Sequence, residues 1–277
     1  MEQHGNNPQQ NVIAVIPARY ASTRLEGKLL LPLDGKPLIL HTLEQAKKAR
    51  TVSRVIVATD DERILRAVEE SGNEAVLTSR EHHSGSDRIA EVAQGLPEGS
   101  IMVNVQGDEP LISPKTIDLA VEAMLSDANA DIVTTCEPIT EFDDLMNGNV
   151  VKVVYGDSGY ALYFSRSAMP YPRDASLKND RGPNAAIIEE PELMSIFRKH
   201  TGLYVYRREY LLKFTKLPQS KLEKIEMLEQ LRALENGAKI RVVETTESSI
   251  GVDTREDFER VREILETQNR ESAIQNV

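Results

Sequence analysis

A continuous apolar run over 12–16 ends at Pro17, a pattern that predicts a strand covered on both faces of a parallel sheet rather than a half-exposed alternating one. A helix is expected after Lys36-Pro37, with the proline in its first turn. From there apolar runs and 3.6-residue periodicity alternate. They predict strands over 54–58, 75–77, 101–105 and 132–136, separated by helices over 61–70, 86–94 and 114–125. This alternation is the signature of right-handed crossover units in a doubly wound, mostly parallel α/β sheet with helices on both faces. Such a sheet binds ligands beyond the carboxyl ends of its strands.

After Gly148 the pattern changes. Runs over 151–155 and 160–164 flank Gly156-Asp157-Ser158-Gly159 and predict an inserted β-hairpin. Residues 167–198 hold Pro170, Pro172, Pro183 and Pro191 among polar residues and read as a long excursion, a lid or dimerisation arm. A strand over 201–206 follows. Next comes one helix capped by Ser220, carrying Leu222, Ile225, Leu228, Leu231 and Leu234 on one face and ending at Asn236-Gly237. A strand over 239–244 and a last helix opening at Asp253-Thr254 complete the order; either residue can cap, since Glu256 and Asp257 stand three positions on. The expected organisation is one α/β domain over 11–268 with an insertion at about 150–200, between disordered tails at 1–10 and 269–277.

Composition narrows the function. Apolar residues at 40% and charged residues at 28% suit a globular protein with a large core. Lys plus Arg number 33 against 44 Asp plus Glu, a formal net charge of −11, which disfavours nucleic-acid or anionic-membrane partners. Cys136 is the single cysteine, so an internal disulfide and a Cys-based zinc site are both excluded, and it reads as a buried thiol. No run approaches 18 apolar residues, and 1–10 lacks the cationic and apolar regions of a signal peptide; a cytoplasmic protein without membrane insertion is expected.

Against that acidic background, the loop after the first strand concentrates Arg19, Arg24 and Lys28 with Ser22, Thr23 and Gly27. Forked guanidinium donors and a point charge at a strand's carboxyl end suit a polyphosphate. The loop is no Walker motif, because Ser22 stands for its first glycine and Leu29 for its Ser/Thr. Gln106-Gly107-Asp108-Glu109-Pro110 follows the strand over 101–105, and Asp253 follows another strand, so both aspartates are candidate Mg²⁺ ligands. Equally, Asp108 closes a turn and Asp253 caps a helix. His82-His83 has no matching cluster and reads as a polar loop pair. Glu223 and Glu226 lie where a helix start can reach a cleft.

Taken together, Ile16-Pro17-Ala18-Arg19-Tyr20-Ala21-Ser22-Thr23-Arg24 with Gly27-Lys28, Asn104 to Pro110, Tyr160 to Arg166, and Gly251-Val252-Asp253-Thr254 resemble the CMP-Kdo synthetase family of Gram-negative bacteria, in order over about 11–265. The resemblance implies the nucleotide-diphospho-sugar transferase fold, usually as a homodimer. It implies transfer of CMP from CTP to the anomeric hydroxyl of 3-deoxy-D-manno-octulosonate (Kdo), with release of pyrophosphate, for lipopolysaccharide synthesis. By position it assigns Arg19, Arg24 and Lys28 to the triphosphate, Asp108 and Asp253 to Mg²⁺, and Ser86 and Arg88 to the cytidine side. Gln106, Arg166, His200, Tyr204 and Glu223 fall to the sugar-acid pocket, and a second Mg²⁺ rides on the CTP phosphates. Three departures stand out: Glu26 and Lys221 where the family has Pro, and Thr201 where it has Leu. The segment 175–197 is also longer than usual. A cytidylyltransferase for another sugar acid, of 8-amino-Kdo or sialic acid type, and a nucleotide-sensing regulator are the other readings.

Overall fold

The computed structural model describes residues 11–21, 25–178 and 182–275. In chain order the strands are β1 (Val12–Ala18), β2 (Pro32–Leu33), β3 (Lys36–Pro37), β4 (Arg54–Thr59), β5 (Ala75–Leu77), β6 (Ile101–Asn104), β7 (Ile132–Pro138), β8 (Lys152–Tyr155), β9 (Ala161–Ser165), β10 (Arg198–Arg207) and β11 (Ile240–Glu244). The helices are α1 (Leu38–Lys48), α2 (Glu62–Glu70), α3 (Gly85–Gln94), α4 (Pro114–Ser126), α5 (Phe142–Met146), α6 (Arg173–Leu177), α7 (Gly182–Glu189), α8 (Arg208–Phe214), α9 (Lys221–Glu226), α10 (Gln230–Glu235) and α11 (Arg255–Gln275).

The chain forms two compact units, where the sequence pattern suggests one domain with an insertion. The first comprises the described residues of Met1–Pro114, Tyr206–Thr215 and Ile250–Val277; the second, Lys115–Val205 and Lys216–Ser249. The division thus falls at the first residue of α4, not at the hairpin, because β7 and β11 pair with each other in parallel from Ile132↔Ile240 to Cys136↔Glu244.

In the first unit the strands lie in the order β6-β1-β4-β5, with β1 parallel to both β4 and β6 and β4 parallel to β5. The chain leaves β1 toward β4 and β5, then returns to β6 on the other side of β1. That reversal is a topological switch point, and the crevice at the carboxyl ends of β1 and β6 is where such a sheet accepts ligands. β1 runs on through Pro17 rather than stopping there. Its pairing with β6 ends at Val15↔Asn104, so Pro17 has only β4 alongside it and its missing N–H is tolerated. Val12 to Ile16 are all buried, as the apolar run requires.

Gly107, just after β6, serves close approach. A Cβ there would meet the Pro17 carbonyl oxygen at 3.0 Å and Ile39 at 3.1 Å. Its own carbonyl accepts a 3.0 Å hydrogen bond from the Thr42 hydroxyl on α1. α3 opens on a capping box in which Ser84 and Asp87 satisfy each other's backbone N–H groups.

The second unit joins β7 and β11 to β10 and the antiparallel hairpin β8–β9, with Lys152↔Ser165 and Val153↔Phe164 in register. The excursion at 167–198 is built rather than structureless: it carries α6, α7 and a 3-10 turn over Pro191–Ile196. Ile187 and Phe197 from this segment bury against Ile139 and Leu145, and Leu193 and Met194 pack around them. Burying each such side chain contributes about 1.5–3 kcal/mol, so this satellite core anchors the segment. The single helix expected from Ser220 to Leu234 is two, α9 and α10. Met227 adopts a left-handed backbone (φ 54°), and Arg166 Nε takes the Glu226 carbonyl at 2.7 Å, so the helical ladder breaks there. α11 continues to Gln275, past the expected end at 268. The tail at 1–10 lies outside the described residues.

Replacing Gly107 by Ala should force the β1 and β6 loops apart and cost on the order of 1–3 kcal/mol. Urea unfolding measures it; an unchanged midpoint would mean the loop relaxes freely.

Candidate active site

Residues far apart in sequence meet at the switch point. Lys28 sits on a 3-10 turn (Lys28–Leu30) entered through Gly27, whose φ of 63° is left-handed and whose missing Cβ leaves room for the Tyr20 ring at 3.0 Å. The Arg63 guanidinium covers the Tyr20 ring at 3.3 Å and is held from α2 by Asp61 through two hydrogen bonds, 2.9 and 2.7 Å. The basic loop is therefore pinned on both flanks of its tyrosine. Nothing in the residue pattern marks Arg63 for this task.

Lys28 Nζ donates to Asp108 Oδ2 at 2.6 Å, Asp253 Oδ1 at 2.8 Å and the Val252 carbonyl at 2.9 Å. Its side chain is 11% exposed, against 29% for Asp108 and 47% for Asp253. Burial draws the Lys28 pKa down, but the Asp108 carboxylate, followed by Asp253, outweighs it and the net shift is upward. The Val252 N–H donates to the Asp108 carbonyl at 2.8 Å, so backbone as well as charge ties the two loops together.

At both aspartates the cap or turn is made by neighbouring groups. α11 is capped by Thr254, whose hydroxyl accepts the Asp257 N–H while Asp257 Oδ2 accepts the Thr254 N–H at 2.8 Å. Asp253 is thereby freed from capping and its carboxylate turns to Lys28. At the other loop the turn is closed by backbone, Glu109 N–H to Gln106 carbonyl at 3.1 Å, leaving the Asp108 side chain to the same cation.

These groups line a cleft of about 320 Å³ with Pro17, Arg19, Gly85 and Gln106. Arg19 donates to the His82 carbonyl at 3.0 Å, and Gln106 to Asn104 Oδ1 at 3.2 Å. Arg24 lies outside the described residues. Glu26 is exposed and does not line the cleft. Ser86 and Arg88 are fully buried, on the helix that begins at the cleft residue Gly85. Arg88 donates to Asp60 Oδ2 at 2.6 Å and to the Thr78 hydroxyl. Asp60 directly follows β4, and the rule that singled out Asp108, an acid at a strand's carboxyl end, also applies to it. His82 pairs with Glu91, which also accepts the Ser79 N–H at 3.0 Å.

The remaining candidates belong to the second unit. His200, at β10, has Phe164 edge-on at 5.1 Å and Tyr204 tilted at 5.2 Å. Thr134 has one hydroxyl proton and donates it to the Leu203 carbonyl at 2.8 Å, so the 2.9 Å contact with His200 must be Nε2–H donating to Thr134 Oγ1. Nδ1 is left as an acceptor. Burial pushes the His200 pKa down to about 3, so this imidazole is neutral at physiological pH.

Arg166 donates to the carbonyls of Glu226 (2.7 Å) and Gly148 (2.8 Å), while Glu226 accepts the Ser165 hydroxyl at 2.7 Å and the Arg166 N–H at 3.0 Å. Glu223 is buried; it completes the capping box with Ser220 and forms a 3.3 Å ion pair with Arg232. Thr201 donates to the Thr135 carbonyl at 3.1 Å, which gives the departure from Leu a partner inside the sheet. Cys136 is buried and its thiol is pushed up to about 12, mainly by desolvation, so it is inert.

A parallel sheet with a basic loop and two carboxylates converging at its switch point is the architecture of a nucleotidyltransferase. The cytidylyltransferase family model matches residues 13–240. 4-Diphosphocytidyl-2C-methyl-D-erythritol synthase from Anaerococcus prevotii shares the fold, with TM-score 0.57 at 15% identity over 93% of this chain and 99% of that one. The chain belongs to the 3-deoxy-manno-octulosonate cytidylyltransferase family. It is 49% identical to the Geobacter sulfurreducens enzyme over 92% of this chain and 99% of that protein, and 51% identical to the Geotalea daltonii enzyme over 92% and 98%. The CTP complex of CMP:2-keto-3-deoxy-manno-octonic acid synthetase superposes with TM-score 0.83 at 38% identity, covering 94% of this chain and all of that one.

Two outcomes are expected. Thr254→Ala should cost about 1 kcal/mol of stability as a lost cap, whereas Asp253→Asn should leave it nearly unchanged; equal losses in urea unfolding would return the cap to Asp253. His200 has a folded pKa below its unfolded value of about 6.5, so the unfolded chain takes up the extra proton. Its contribution is therefore full above pH ~6.5 and is lost as pH falls toward 3. His200→Gln should reduce the slope of stability against pH by up to one proton in that window; an unaltered slope would mean His200 already charges in the fold.

Proposed function

We propose that this chain transfers CMP from CTP to the anomeric hydroxyl of Kdo, giving CMP-Kdo and pyrophosphate for lipopolysaccharide synthesis. The observation that carries the reading is the convergence of Lys28, Asp108 and Asp253 at the switch point, in a chain about half identical to enzymes of that name. In the reaction the sugar oxygen forms a bond to the α-phosphorus of CTP, the bond from that phosphorus to the bridging oxygen breaks, and pyrophosphate leaves. The chain's task is to hold two anions in line and to neutralise the charge gathering on the phosphate oxygens. No protein nucleophile is needed.

Arg19 and Lys28 flank the cleft and suit the leaving pyrophosphate; Arg24 stands between them in sequence. Arg88 and Ser86, being buried, act from behind the cleft: through its ion pair Arg88 fixes Asp60 at the end of β4. For Mg²⁺ the donor set is hard oxygen. Asp108 and Asp253 bring carboxylate oxygens to one point, and no group of three or more His, Cys, Asp or Glu suited to a metal occurs among the described residues. That fits Mg²⁺, which takes one or two carboxylates and completes its shell with waters and substrate phosphates. Bound there, it would lower the pKa of the sugar hydroxyl and offset phosphate charge, with a second ion carried by the CTP phosphates.

In the sugar-acid pocket, neutral His200 offers Nδ1 to a sugar hydroxyl and contributes no positive charge toward the substrate carboxylate. Tyr204 and Phe164 fix its ring. In the cleft of the first unit, Gln106 supplies an amide at the end of β6. Glu223 and Arg166 shape the α9–α10 bend through their own contacts. A homodimer is supported by large apolar side chains exposed on the second unit, among them Leu162, Ile188, Ile225 and Met227. No described helix is long and apolar enough to cross a membrane.

Pyrophosphate release from CTP should require Kdo and Mg²⁺ together, and a sialic acid or 8-amino-Kdo should not replace Kdo at equal rate; faster release with either would reassign the sugar. Asp108→Asn, Asp253→Asn and Arg19→Ala should each lose about a hundredfold or more in turnover. The double aspartate variant should be little worse than either single one, because residues that hold one ion act as a unit. Independent multiplicative losses, unaffected by Mg²⁺ concentration, would contradict a shared metal.

A further inference from the structure

Lys28 occupies a three-oxygen seat, and two of those oxygens belong to the carboxylates assigned above to the metal. An ammonium and a divalent ion compete for such a seat. Each is attracted to Asp108 Oδ2 and Asp253 Oδ1, and each repels the other at the short distance a common pair of carboxylates imposes. Charge counting sharpens the point. Two carboxylates with Lys28 sum to −1, and adding a divalent ion without moving Lys28 brings the cluster to +1 in a cleft already bordered by Arg19. A polyphosphate reverses the balance, since it is an anion and offers the ammonium new oxygens.

The local build allows the exchange. Lys28 has a flexible four-carbon stem and stands on the first residue of a short 3-10 turn, right after left-handed Gly27. Asp253 is held by backbone, its N–H donating to Asp257 Oδ2 at 3.1 Å, and the Asp108 carbonyl is clasped by Val252. The segments carrying the carboxylates are thus anchored through their backbones, and of the three side chains the lysine has the longest stem over which to shift its charge.

We infer that Lys28 is an internal cation that competes with the divalent ion for Asp108 and Asp253, and that the nucleotide's polyphosphate lifts it off and opens both carboxylates to the metal. Polyphosphate and metal then favour each other's binding through one side chain, a coupling that is reciprocal by thermodynamic necessity. The inference rests on the metal reading proposed above.

Mn²⁺ alone, titrated without nucleotide and followed by the EPR signal of the free ion, tests it. Lys28→Gln should bind Mn²⁺ on the order of tenfold more tightly than the unsubstituted chain, within the usual range of coupling between two sites. Lys28→Arg, which keeps the charge, should bind no more tightly than the unsubstituted chain. Lys28→Met serves in place of Lys28→Gln if thermal unfolding finds the glutamine variant misfolded. If neither neutral variant gains affinity while Asp108→Asn still weakens Mn²⁺ binding, the competition is refuted and the metal reading stands. If Asp108→Asn in the Lys28→Gln background leaves Mn²⁺ binding untouched, the metal reading itself fails, and the competition with it.

Discussion

One ammonium bridging two carboxylates organises the cleft. Lys28, Asp108 and Asp253 come from the loop after β1, the loop after β6 and the approach to α11, and each segment needs its own device to deliver its side chain. A left-handed Gly27 turns the basic loop, Gly107 lets the β6 loop lie against the Pro17 carbonyl, and Thr254 with Asp257 relieves Asp253 of capping. Two acids this close repel each other, and the intervening cation makes their approach favourable. The same electrostatics suits a catalyst whose substrate is itself a polyanion, because carboxylates so placed bind a metal and cations so placed bind phosphate.

Support for this cluster lies one layer back, in groups that never reach the cleft. Arg63 pins Tyr20, which packs on Gly27, and Asp61 orients Arg63. Arg88, fully buried, ties α3 to Asp60 and Thr78 at the ends of neighbouring strands. A guanidinium removed from water tolerates burial only when paired and hydrogen-bonded, so Asp60 and Thr78 keep this region rigid as a condition of its own stability. In the second unit the same logic works with neutral partners. His200 is locked into one tautomer by Thr134, and Arg166 takes up backbone carbonyls at the left-handed Met227, which places the bend between α9 and α10.

The order of strands and helices, and the basic loop and acid-bearing turn at strand ends, were legible in the sequence because each rests on local rules: apolar runs, cap residues and the position of charge after a strand. The doubly wound class followed from that alternation. Local rules also left each aspartate with two readings, and they extended one helix across 220–234, since periodicity does not register a carbonyl taken up by an arginine some 60 positions away. They did not show that Arg88 is buried against Asp60, and they left the excursion at 167–198 without elements because its apolar residues find partners at Ile139 and Leu145, far from it in sequence.

By itself, then, the sequence determined which chemical groups are present and on which kind of element each stands, because secondary structure and loop chemistry are set over a few residues. Only the tertiary structure decided which groups share a site. Residues 28, 108 and 253 meet because the chain returns from β5 to the far side of β1, which places the β1 and β6 loops over one crevice, and because α11 begins beside them with its capping already satisfied by Thr254. Convergence of charges across more than 200 positions is a property of topology and burial, and no local pattern encodes it.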